Sequence, residues 1–450
     1  MNNSKFRAIP ENNNIKIPFK LEKKLLLEWL NTRLEQDSKT ACLELLRLLQ
    51  ALNIANISSK KRITFLCIIA DYLKKYINDL EGVCWDVGFP LTVDERIYAE
   101  AVTWNYLLLS EGFFIAAEDT QVKQDAAFAF VVALQAKRQA QLHIAAIYSL
   151  PTDGFWRDIY EMFHIAEKRN LLKVPVKQLN DITPETIFNK IFIFQACDTN
   201  QFRARDMQTI FYFLDMVCEN IVIKVKADKE HTVFVFDLET DNPPVNCTDY
   251  HEANLIETCR YFSTVDIAHE IYDKLKKGMS WSGTLKSINT ALFLRVIKTL
   301  GLGQKRKYTR LDDGHQMLGI IGFDDIVNFL RYKERPLTDG LEPKNDIQKA
   351  KIASEELKLY IKNKHIESLN SDHDDDSWQP PSTYNTKEIN EINVKKIHIF
   401  DSSAKGYSVY WSDSNTKLKA KIGDVFGIIS ADKTRLEIAL IRRIAMRTGG

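Results

Sequence analysis

Cysteine is scarce in this chain: seven in 450 residues, at Cys42, Cys67, Cys84, Cys197, Cys218, Cys247 and Cys259. They are odd in number, scattered and mostly set among apolar neighbours. No CxxC occurs and no Cys/His group has zinc-ligand spacing, which excludes a zinc module and argues for reduced core thiols, as in the cytosol. Charge of one sign is also missing. The 61 Lys and Arg against 60 Asp and Glu leave a net charge of +1. That excludes a dedicated nucleic-acid coat protein, whose affinity comes from excess positive charge. Long apolar runs are absent too. "AAFAFVVALQAKRQAQ" meets Lys137 and Arg138 well short of the roughly 20 residues needed to span a bilayer. The N-terminus "MNNSKFRAIPENNNIKIPFK" has no apolar core of a signal peptide. A cytoplasmic protein without membrane insertion is expected.

Catalytic signatures are missing as well. There is no Walker A, GxGxxG or GxSxG, and "HEANLIET" at 251 lacks the second histidine of a zincin helix. No paired base and nucleophile can be assembled, so no enzyme, metal or cofactor is expected. "SDHDDDSWQPP", with His373, Asp374 and Asp376, lacks the glycine and terminal glutamate of a calcium loop and is read as an acidic disordered tip.

What is there begins with helices. After a flexible lead-in over 1–17, "PFKLEKKLLLEWLNTRLEQ" places Leu26, Leu30 and Leu34 at four-residue steps, with charge on the other face. Helical patterns continue to about 217, broken near 82–92 by "GVCWDVGFPLT". In "TPETIF", Thr183 is a candidate cap and Pro184 suits the first helical position. His143 and His164 are read as packed or half-exposed, and Trp104, Trp156 and Phe113 as core. No fixed-period repeat is found.

From about 219 the texture changes. "NIVIKVKA" and "HTVFVFDLET" read as a hairpin, and two helical patterns follow. Residues 218–300 are expected to form a small α+β connector. "HQMLGIIG" reads as a strand and "FDDIVNFLRY" as a helix. Residues 335–392 are read as a disordered insertion. "VKKIHIFD", "GYSVYW", "LKAKIGDVFGIIS" and "TRLEIALIRRI" are short strands that imply a small antiparallel barrel over 301–450. The expected fold class is α+β multidomain: helical over 18–217, connector, then barrel.

Two motifs carry chemistry. "GQKRKYTRLD" places Arg306 and Arg310 four apart within positive charge, and "DSSAKG" supplies Asp401, Ser403 and Gly406 at a turn between strands. Together and in this order, R-x-x-x-R and D-x-S-x-x-G resemble the PilZ family, small β-barrel receptors for bacterial cyclic di-GMP. The resemblance covers roughly 300–450. It implies cyclic di-GMP binding by Arg306, Arg310, Asp401, Ser403 and Gly406. The overall arrangement is similar to bacterial PilZ proteins with long N-terminal extensions. The helical region is expected to bind a protein partner, and the resemblance implies an output in surface behaviour such as pili, flagella or biofilm.

The chemistry agrees. A guanidinium fork fits guanine O6 and N7 or a phosphate, and its plane stacks on a purine. The Asp401 carboxylate only accepts, matching the N1 and N2 donors of guanine. Ser403 adds a small donor or acceptor. Gly406 allows a positive φ and close backbone approach. Lys305, Lys307 and Lys405 raise the potential toward an anion.

Two features depart from the family pattern. Arg310 and Asp401 are 91 positions apart, which is tolerable because loop closure costs grow slowly with length. After "RRIAMRTGG" the usual further strand is missing, so the barrel is either short or completed differently. A scaffold whose PilZ-like domain does not bind nucleotide is the alternative. An RNA-binding protein ranks lower, since near-zero charge and no pattern of exposed aromatics speak against it.

Overall fold

The computed structural model describes residues 17–34, 37–85, 87–217, 221–226, 234–247, 257–276, 290–302, 311–312, 314, 316–334, 394–403, 406–410 and 419–430, with 436–445. The lead-in over 1–16, the insertion at 335–392 with His373, Asp374 and Asp376, and the "HEANLI" stretch lie outside the described residues. The chain divides into two compact units. One comprises Met1–Val87, Val93–Lys305 and Arg443–Gly450, the other Gly88–Thr92 and Arg306–Arg442.

The first unit opens with eight helices: α1 (Lys23–Leu34), α2 (Ser38–Ile54), α3 (Ser59–Trp85), α4 (Val93–Asp119), α5 (Lys123–Ala146), α6 (Phe155–Lys168), α7 (Pro184–Ala196) and α8 (Ala204–Leu214). Their ends follow local chemistry. Asp37 caps α2 by accepting from the Lys39 and Thr40 N–H groups at 3.1 and 3.0 Å. Thr183 caps α7 by accepting from the Thr186 N–H at 3.2 Å, with Pro184 at its first turn.

Helix α5 lies against α4, α7 and α8. Its alanines let neighbouring backbones approach, and four of its polar side chains, Lys137, Arg138, Gln141 and His143, are buried, which requires partners. Lys137 Nζ reaches Asp158 at 2.7 Å. Arg138 donates to the Phe211 carbonyl at 2.6 Å and pairs with Asp215 at 2.9 Å, and Lys190 reaches the same Asp215 oxygen at 2.9 Å. His143 stacks on Tyr106 with centroids 5.5 Å apart and lies 5.6 Å from Trp85. Burial holds its imidazole down to about 4. Trp156 and Phe113 are buried as expected of core residues, and His164 is exposed.

Beyond α8, β1 (Phe234–Asp237), β2 (Val245–Asn246) and β3 (Cys259–Phe262) form an antiparallel sheet in the order β2-β1-β3, followed by α9 (Val265–Lys276) and α10 (Thr290–Leu302). The expected hairpin between 220–227 and 231–240 does not form among the described residues. β1 pairs with β2 and β3, and Lys224 bridges Tyr261 on β3 instead. Adjacent β-rich runs suggested adjacent pairing, but a more distant strand supplied the better partner. Aromatic packing ties this sheet to the helices: Phe236 lies 4.5 Å from Phe192 and 5.1 Å from Tyr160. The Asp241 carboxylate also accepts from the Trp156 and Arg157 N–H groups at 3.0 Å, capping α6 from a distant loop.

The second unit contains β4 (Leu311–Asp312), β5 (Gln316–Ile321), α11 (Phe323–Glu334), β6 (Val394–Ser403), β7 (Gly406–Tyr410), β8 (Val425–Ser430) and β9 (Leu436–Leu440). They form a curled antiparallel sheet ordered β4-β6-β5-β8-β9, with β7 also pairing with β6. It is apolar on both faces. The inner face gathers Ile321, Ile397, Ile399, Ala420, Phe426 and Ile428, with Tyr407 and Val409 against them. Over β5 and β8 the outer face is covered by α11, whose Ile326 and Phe329 pack on Leu318, Ile320 and Ile429. The segment Gly88–Thr92 joins this unit through Phe89, which exchanges two backbone hydrogen bonds with Ala420, both 2.8 Å. Among the described residues no helix is long and apolar enough to cross a membrane.

Candidate functional site

The site is built on β6. Its inner edge is set by Ile397 and Ile399, both 1% exposed. Regular alternation would then turn residue 401 inward as well. It does not, because the register slips at Phe400. Ile399 faces Val409 on β7, but Asp401 faces Ser408, so Phe400 is an extra residue. Directly paired residues share a face of the sheet. Tyr407 packs on the inner core, so its partner Ser402 takes the inner side and Asp401 and Ser408 take the outer one. A single bulge therefore presents the Asp401 carboxylate away from the core.

The turn beyond is closed locally. Ser403 pairs with Gly406, and its Oγ donates to the Gly406 carbonyl at 3.2 Å. The Tyr407 hydroxyl donates to Glu437 Oε2 at 2.7 Å, anchoring β7 from its inner face to β9. Asp401, Ser403 and Gly406 are all half-buried. Gly406 does not use the positive φ that glycine allows. The positive-φ glycines among the described residues are Gly154, Gly322 and Gly423. Gly406 opens β7 in a strand pairing, where extended backbone serves. A Cβ there would meet nothing within 4 Å, so open space adjoins this backbone.

On the other edge of β6 lies β4. Leu311 faces Ser402 and Asp312 faces Asp401. The register slips here too: three residues separate Asp312 from Gln316, while two separate their partners Asp401 and His398. Leu311 directly follows Arg310 in the chain. The strand leaving the R-x-x-x-R segment is thus laid along the D-x-S-x-x-G strand, although Arg310 and Asp401 are 91 positions apart. Arg306 and Arg310 themselves, with Lys305, Lys307 and Lys405, lie outside the described residues.

Sequence reasoning left other residues of this face unnoticed. His398 and Tyr410 face each other on the outer side, with ring centroids 6.3 Å apart. Tyr410 is 50% exposed and Phe400 51%. The expected lack of exposed aromatics thus fails beside Asp401. The alternation in "KKIHIFD" marks His398 and Phe400 as outward, but nothing in it reveals the bulge that turns Asp401 outward beside them.

With this geometry in view, family comparison is informative. Residues 23–228 match the N-terminal domain of the cyclic-di-GMP receptor FimW, and residues 233–450 match its middle PilZ domain. No curated protein and no solved structure matches the chain. The two matched stretches take in nearly all of the sequence, and the chain belongs to the FimW family of cyclic-di-GMP receptors, with a PilZ domain in its C-terminal half.

Proposed function

We propose that this chain binds cyclic di-GMP between the 306–310 segment and the 401–406 turn and passes the signal to a protein partner through its helical region. Arg306 and Arg310 clamp phosphate and purine, Asp401 accepts from the guanine N1 and N2 donors, Ser403 adds a hydroxyl contact, and open space at Gly406 admits the ligand. The observation that carries this reading is the pairing of Leu311 and Asp312 with Ser402 and Asp401, which brings the backbone after Arg310 to the acid-serine turn. The chemistry is binding, with no bond broken. The nucleotide stabilises one arrangement of the 303–310 segment over others and so shifts a population. The protein acts in the cytoplasm, and its output lies in surface behaviour such as pili, flagella or biofilm.

Calorimetric titration of the full chain with cyclic di-GMP tests the site. Removing a charge-assisted contact costs on the order of 2 kcal/mol, a loss of roughly thirtyfold in affinity. Arg306→Ala, Arg310→Ala and Asp401→Ala are each expected to lose that much. Wild-type affinity in Asp401→Ala would overturn the assignment.

A further inference from the structure

The outer face around Asp401 carries more than the motif. Three side chains bearing rings, His398, Phe400 and Tyr410, stand on β6 and β7 beside the acid. His398 and Tyr410 are directly opposed. Phe400 is the bulged residue immediately before Asp401, with half its surface exposed. Tyr410 is two positions along β7 from Ser408, the partner of Asp401, a step of about 7 Å. A single exposed aromatic is unremarkable on a strand. Two exposed at about half their surface, beside an exposed histidine and flanking a carboxylate suited to the edge of guanine, form an arrangement with a chemical meaning. A carboxylate reads the edge of a base, and aromatic rings hold its face.

We propose that Phe400 and Tyr410 form a base-stacking platform on the outer face of β6 and β7, holding a guanine of the dinucleotide while Asp401 accepts from its edge. This rests on the cyclic di-GMP reading above and adds specificity residues outside both motifs. Alternation along β6 already turns Phe400 outward, and the bulge brings Asp401 to that same side, directly beside the ring. The His398 imidazole lies beside the Tyr410 ring, 6.3 Å between centroids.

The test is calorimetric titration of the full-length protein with cyclic di-GMP, comparing Phe400→Leu and Tyr410→Leu with Phe400→Trp and Tyr410→Phe, and using Asp401→Ala as the control for the site. Circular dichroism and thermal melting check that each variant folds. The leucine variants keep bulk and apolarity but lose the π-face. They are expected to bind about tenfold or more weakly, while the aromatic replacements stay within about threefold of wild type. A purely structural role would not sort leucine from the other aromatics in this way. If Asp401→Ala weakens binding about thirtyfold or more and both leucine variants bind as wild type, the platform is overturned and the receptor reading stands. If the wild type binds no dinucleotide, or Asp401→Ala binds as wild type, both fall together.

Discussion

Single residues decide the site, and another sets a pH dependence in the helical unit. His143 is buried on α5 between Trp85 and Tyr106, and burial holds it down to about 4 from an ordinary 6.5. Between those values the unfolded chain takes up a proton that the native imidazole refuses, so stability rises with pH across this window. The contribution is complete above about 6.5 and is lost as pH falls toward 4. It amounts to roughly 2 kcal/mol between pH 7.5 and 5. Glu111, Glu118 and Asp158, raised by burial, act in the opposite sense, since their contribution is lost as pH rises. Urea unfolding of His143→Phe against wild type isolates the histidine: the difference between pH 7.5 and 5 is expected to shift by that amount. Identical pH profiles would show that the imidazole is hydrated in the native state. The sequence placed His143 on a helix, but its lack of charge depends on ring neighbours from α3 and α4. The same holds at the site. Asp401, Ser403 and Gly406 were legible as a motif, whereas the direction in which Asp401 points depends on Phe400 being bulged.

Elements were legible where their determinants are local. The four-residue leucine steps, the Thr183-Pro184 start of α7 and the apolar runs of β5, β6 and β8 all lie within a few residues of one another. Partner choice is not local, which is why β1 pairs with β3 and not with the strand-like run before it. Close packing inside the curled sheet has the same character. A Cβ on Gly319 in β5 would lie 2.9 Å from both Ile397 Cγ2 and Phe426 Cζ. Those two side chains belong to the inner core and have little room to move. Gly319→Ala should therefore overpack the core and cost about 1–3 kcal/mol despite the better strand propensity of alanine. Thermal unfolding followed at the sheet is the measurement, with a lowered midpoint expected. An unchanged midpoint would show that Ile397 and Phe426 yield freely.

At the scale of the whole molecule, the chain is not two beads on one linker. It passes between the units at 87/88, 92/93, 305/306 and 442/443. The first two crossings bracket Gly88–Thr92, the connection between α3 and α4, which belongs to the sheet unit. Phe89 is 4% exposed there and Leu91 5%. Phe89 also pairs through its backbone with Ala420, a member of the inner core. A Cβ on Gly88 would strike Lys419 Cβ at 2.4 Å, so the close approach of the two segments requires glycine. The sheet therefore depends on a piece of chain more than 200 positions upstream of β4, and any event that rearranges the sheet has a covalent path to the helices on either side of that piece. Truncating a buried Phe costs about 3–5 kcal/mol when the surroundings cannot collapse. In full-length Phe89→Ala, hydrogen exchange at Ala420, Ile422 and the β8 amides is expected to accelerate strongly, with α5 and α7 unchanged. Uniform acceleration across both units would mean that they unfold as one. No acceleration at Ala420 would mean that Gly88–Thr92 contributes nothing to the stability of the sheet.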